Sequence, residues 1–127
     1  MKVEVPLGDV VDKVIILRIK LEKIGTAHVQ RELDSLVESW ESEGLPPMST
    51  LPQYGPLGAV NARLWDVEDA LRSLESEDRF DSHFVALARS VYGLNDERAA
   101  LKRAINLALG SKLVEEKSYA ATSNTNR

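Results

Sequence analysis

Residues 84–109, FVALARSVYGLNDERAALKRAINLAL, decide how this chain folds. Apolar or near-apolar side chains recur there at Phe84, Leu87, Val91, Leu94, Leu101, Ile105 and Ala108. Their steps of three and four residues hold one stripe of a helix towards one partner. The single gap in the stripe is filled by Arg98, with Asn95 and Asn106 beside it. An apolar seam that carries a guanidinium must supply that charge with a partner, because an unpaired charge near a core is costly.

Working outward from this helix, the same period predicts three more. Leu57, Val60, Leu64, Val67, Leu71 and Leu74 repeat as a heptad over residues 57–77. Residues 78–82 then turn the chain, with Asp81 or Ser82 as N-cap of the fourth helix. With that turn, Leu74 falls opposite Phe84, Leu71 opposite Leu87 and Val67 opposite Val91, while Asn61 comes near Glu97 and Arg98. Gly93 weakens the fourth helix by about 1 kcal/mol relative to alanine, and Asn95 behind it invites a break. The first helix is predicted over residues 7–24, with Asp9 suiting its positive end and Gly25 its C-terminal turn. Its apolar surface is wide, so it belongs at the centre of the packing. A second helix over 27–43 follows across a short link and is antiparallel to it. Residues 44–56, GLPPMSTLPQYGP, hold four of the five prolines and read as a long, mobile loop.

The fold class is therefore mostly α: antiparallel helical hairpins forming a four-helix bundle-like domain over residues 1–119. Residues 120–127 lack bulky apolar side chains and read as a disordered tail. Whether residues 2–5 and 112–117 pair as a short two-stranded β ribbon stays open.

Composition narrows the function. The chain has 127 residues, 43% of them apolar and 28% charged, as in a globular domain. A net charge of −4 and a pI near 5.2 oppose nucleic acid and anionic membrane. With no cysteine there is no disulfide, thiolate nucleophile or cysteine zinc site. The start, MKVEVPLGDVVDK, is unlike a signal peptide. The longest apolar run, residues 14–17, is far too short to span a bilayer, so a cytoplasmic setting is the default. Neither phosphate-cradling glycine motif occurs, and no cofactor or metal is implied.

Chemistry is concentrated beside the helical seams. Asn61, Trp65, Glu68 and Arg72 form a row on the third helix; Asn95, Arg98, Lys102 and Asn106 form one on the fourth. These rows face each other, or face the first helix with Asp9, Asp12, Lys13 and Lys20. Asn61, Glu68, Asn95, Arg98, Lys102 and Asn106 are the candidate ligand-binding residues, suited to an anionic or sugar-like ligand or a protein partner. The competing explanation is an ion-pair network that sets helix register. Glu68 and Asp12 are the candidate partners of Arg98. An enzyme is the less favoured alternative: Glu38 and Glu41, with Asp66 and Asp69, place carboxylates at i and i+3 on two helices, a spacing that can hold magnesium. That spacing distantly resembles the all-α nucleoside triphosphate pyrophosphohydrolases, which implies a magnesium-dependent nucleotide hydrolase. A homo-oligomer without a ligand is the third reading, from the broad apolar surface of the first helix.

Three strings together, GDVVDKVIILRIKLEKI (8–24), NARLWDVEDALR (61–72) and FDSHFVALARSVYGLNDERAALKRAINLALGSKLVEEKSY (80–119), resemble a family of small bacterial and phage proteins of unknown function. That family's motifs are G-E-L-(I/L)-D-K, W-x-I-E-D, A-R-S-V-Y-x-x-N-D-x-R and E-E-K-S-Y. The resemblance marks Asp12, Lys13, Trp65, Glu68, Asp69, Arg89, Tyr92, Asn95, Asp96, Arg98, Lys102, Asn106, Glu115, Glu116, Lys117 and Tyr119. Asp9 departs from the family's glutamate, and the 44–56 loop is longer. The resemblance implies a bacterial cytoplasmic setting and supplies no activity.

Overall fold

The computed structural model describes residues 4–110. They form four helices, α1 (Leu7–Lys23), α2 (Ala27–Ser42), α3 (Tyr54–Ser76) and α4 (Ser82–Ala108), with one 3-10 turn at Met48–Thr50. No strand occurs among the described residues. The ribbon between residues 2–5 and 112–117, the domain limit near 119 and the 120–127 tail rest on residues outside the described ones.

The centre is α1. Val11, Val14, Ile15 and Leu17 are buried on it, and it packs against α2, α3 and α4. Much of its wide apolar surface is thus met by three helices of the same chain. Lys20 and Lys23 in its last turn suit the negative end of the helix. Gly25 then takes φ +68°, a left-handed conformation that glycine adopts without strain. Thr26 opens α2, its hydroxyl accepting from the Val29 N–H at 3.3 Å. Val14 and Leu17 of α1 meet Val29 and Leu33 of α2 in one apolar cluster. The substantial helix pairings are α1 with each of the other three, and α3 with α4.

The proline-rich segment is not the loose loop its composition predicts. Leu51 is buried in the main cluster with Val11, Ile15, Trp40, Leu57 and Ile105, and Leu45, Met48 and Tyr54 pack against it. The Trp40 indole Nε1–H donates to the Pro46 carbonyl at 2.8 Å, tying the segment to α2. Helix α3 also begins earlier than predicted, at Tyr54. Pro56 sits in its first turn, where the missing N–H has no intrahelical acceptor to lose.

The α3–α4 turn follows local rules closely. Asp78 has φ +55°, and the Arg79 N–H donates back to the Leu74 carbonyl at 2.9 Å, a Schellman-type ending. Asp81 then caps α4 by accepting from the Phe84 N–H at 3.2 Å. That hydrogen bond, above all, lowers the pKa of the Asp81 carboxyl from its ordinary value; the Arg79 guanidinium adds to the effect. Phe80 and Phe84 meet edge-on, with ring centroids 5.1 Å apart. Helix α4 runs unbroken through Gly93, so the break anticipated at Asn95 does not occur. Its 27 residues span about 40 Å. Leu64 and Val67 of α3 cluster with Leu94 of α4, flanked by Val60, Leu71, Leu87 and Val91, so these predicted stripes share one seam. All members of this cluster come from α3 and α4, so this part of the hairpin is an arm with its own apolar seam.

Candidate functional site

Where α1 crosses α4 the two helices run antiparallel and share a polar seam. On α4 the seam is Arg98, Lys102 and Asn106, four residues apart and hence on one face. On α1 it is Gly8, Asp9 and Asp12. Gly8, Val11, Asp12 and Ile15 are all buried at helical spacing, so Asp12 lies within the core-facing arc.

Asp12 is the hub. Its Oδ1 accepts from Arg98 Nε at 3.0 Å and from Asn61 Nδ2 at 2.8 Å. Its Oδ2 accepts from Arg98 Nη2 at 2.5 Å. This is the two-pronged guanidinium–carboxylate geometry that makes charge-assisted pairs strong and directional. The Asp12 side chain is 5% exposed and that of Arg98 29%, so the carboxylate is sealed while the guanidinium reaches the surface. One turn on, Lys102 Nζ lies 3.0 Å from Asp9 Oδ1.

At the end of the seam the backbones nearly touch. A Cβ on Gly8 would stand 2.3 Å from the Lys102 carbonyl oxygen. Pro6, at the start of α1, supplies no side-chain cap. The Gly8 N–H instead donates to Asn106 Oδ1 at 2.6 Å, so a residue of α4 caps α1. Asn106 is fully buried, and its Nδ2 finds no hydrogen-bond partner among the described residues.

Of the six predicted site residues, Asn61, Arg98, Lys102 and Asn106 lie on this seam. Glu68 is exposed on α3 and is not the partner of Arg98; Asp12 is. Asn95 is half-buried, one turn before Arg98 and outside the hydrogen-bonded set. Gly8, Asp9 and Asp12 complete the seam. The available signal was Asp12 itself, an acid set between Val11 and Ile15 on the apolar arc of α1.

The alternative metal site does not assemble. Glu38, Glu41, Asp66 and Asp69 are all exposed, on α2 and α3, helices that share no substantial interface. Asp69 lies 3.8 Å from Arg72 instead. Among the described residues no group of three or more histidine, aspartate or glutamate side chains is placed to hold a metal ion. His28 and His83 are exposed and far from the seam in sequence.

Chemically, the seam neutralises itself: each cation faces a carboxylate of another helix. Its polar groups can match along α1 in one alignment, whereas apolar contacts alone tolerate sliding. No helix among the described residues is long and apolar enough to cross a membrane.

No curated protein and no solved structure matches the chain. A family model described as a family of unknown function, DUF6165, matches residues 1–127. The match runs over the whole length, and the chain belongs to that family.

Proposed function

We propose that the chain is a non-catalytic binding module that pairs with a protein surface, working in the cytoplasm, with the polar seam as its keel rather than its ligand site. The observation that carries this is the state of Asp12. Both of its oxygens are engaged by Arg98 and Asn61, so the guanidinium's charge is already spent inside the fold. An anion arriving at Arg98 must compete with a sealed carboxylate at hydrogen-bond distance, and a dislodged buried charge is expensive. The α3–α4 arm, in contrast, presents Phe80, Val85 and Tyr92 to solvent. Aromatic side chains of this kind are over-represented where protein surfaces meet.

A second reading takes an anionic or sugar-like ligand at the outer edge of Arg98, beside Asn95. The 29% exposure of the guanidinium favours it. A thermal-shift titration with inorganic phosphate, a hexose and a hexose phosphate separates the two. The first reading expects no stabilisation by any of them and a lowered melting temperature for Arg98→Ala alone. Stabilisation by one of these ligands, lost in an Arg98→Ala protein that melts like the parent, would overturn it.

A further inference from the structure

Gly93 lies mid-way along α4, where glycine weakens a helix. Nothing among the described residues accounts for it, since a Cβ built there meets none of their atoms within 4 Å. The other helical glycines with such open space, Gly55 and Gly58, fall in the first turns of α3. Beside Gly93 stands Tyr92, 75% exposed, the most open of the large hydrophobic side chains. Val85, Arg89, Asp96 and Ala100 share this outward arc, spaced by three and four residues, and all are exposed. Arg89 and Asp96 have no ion-pair partner among the described residues. An exposed tyrosine, a bare stretch of backbone and two unmatched opposite charges thus lie on one helix face.

We propose that this face of α4 docks against the same face of a second copy of the chain, antiparallel, about a two-fold axis between Tyr92 and Gly93. The inference rests on the α3–α4 arm being a contact surface, as proposed above, and names its occupant. In this register Tyr92 of each copy lies over Gly93 of the other, where the missing side chain leaves room for the ring. Arg89 stands opposite Asp96, twice by symmetry, and Val85 opposite Ala100. Sliding one copy by a heptad brings Arg89 against Arg89, or in the other direction Asp96 against Asp96. Both alternatives set like charges face to face, so one alignment is selected. From Val85 to Ala100 the contact runs about 22 Å along the helix. A single helix pair of that length is a small interface, so association belongs in the micromolar range.

Sedimentation equilibrium of the whole chain up to roughly 200 μM tests this, spanning the affinity expected of so small a contact. The parent is expected to dimerise. Arg89→Glu alone and Asp96→Arg alone should each weaken association about tenfold or more, since both copies then carry like charges across the axis. Mixing these two variants should restore a dimer, because every swapped charge then meets its opposite. Gly93→Leu should also weaken the dimer while leaving the melting temperature of the dilute protein no lower, since its side chain enters open space. A parent that stays monomeric throughout overturns the proposal, whether another protein or the chain's own residues 111–127 then meets the face. A dimer indifferent to both charge reversals overturns it as well. Neither result touches the role of the seam, which the ligand titration reads separately.

Discussion

Replacing Arg98 by methionine removes the only cation that the described residues place on a carboxylate that is 5% exposed, while keeping most of the stem's packing. Asn61 remains as a single neutral donor to Asp12. Breaking a buried pair in this way costs about 3–5 kcal/mol, because the surviving charge is stranded. The reciprocal change, Asp12→Leu, should cost less, about 2–3 kcal/mol. The freed guanidinium, 29% exposed already, can turn to water, and the main loss is the unpaired Asn61 amide. The double variant removes both charges and should recover most of the loss, coming within about 2 kcal/mol of the parent. Urea unfolding followed by circular dichroism measures all three, since a domain of this size is expected to unfold in one step. At a slope of about 2 kcal/mol per molar urea, Arg98→Met should lower the midpoint by about 2 M. The cycle should give a coupling energy of at least about 2 kcal/mol. An Arg98→Met protein within about 1 kcal/mol of the parent, or strictly additive single changes, would refute the assignment of Asp12 as a sealed hub.

Four further outcomes follow from particular contacts. Gly8→Ala should destabilise by about 2 kcal/mol despite alanine's better helix propensity, because its Cβ would sit 2.3 Å from the Lys102 carbonyl and force α1 away from Asn106; urea midpoints decide it. Leu51→Ala should cost about 2–4 kcal/mol, whereas a loosely attached loop would show almost no change in the same assay. Asp78→Gly should stabilise by up to about 1 kcal/mol by relieving a side chain held at φ +55°, raising the melting temperature. Because the folded-state pKa of Asp81 is lowered, its contribution is present above the ordinary carboxylate range and is lost as pH falls through the lowered value. Asp81→Asn, which keeps a capping side chain, should therefore flatten the acid limb of stability against pH, seen by comparing melting curves of the two proteins.

Much of the fold was written locally. The 3.6-residue period placed all four helices, and the cap of α4, narrowed to Asp81 or Ser82, and the turn at Gly25 were legible because both act within a turn or two of their own position. That Val67 and Val91 share one seam of the hairpin followed from a short turn joining two long stripes. Trp40, Leu51 and Pro46 were not legible together. Prolines fix φ and remove donors, but they do not say which core an intervening leucine enters.

The site divides along the same line. The sequence by itself identified a guanidinium intruding on an apolar seam and demanded a carboxylate for it, since burial of a lone charge is prohibitive. It offered Asp12 and Glu68 alike. Only the crossing of α1 over α4 chose Asp12, and made Gly8 a point where two backbones nearly touch. Helix formation depends on neighbours along the chain. The choice of partner, the cross-helix cap from Asn106 and the need for a bare Cα at Gly8 depend on distances between residues some ninety positions apart, which exist only once the helices have packed.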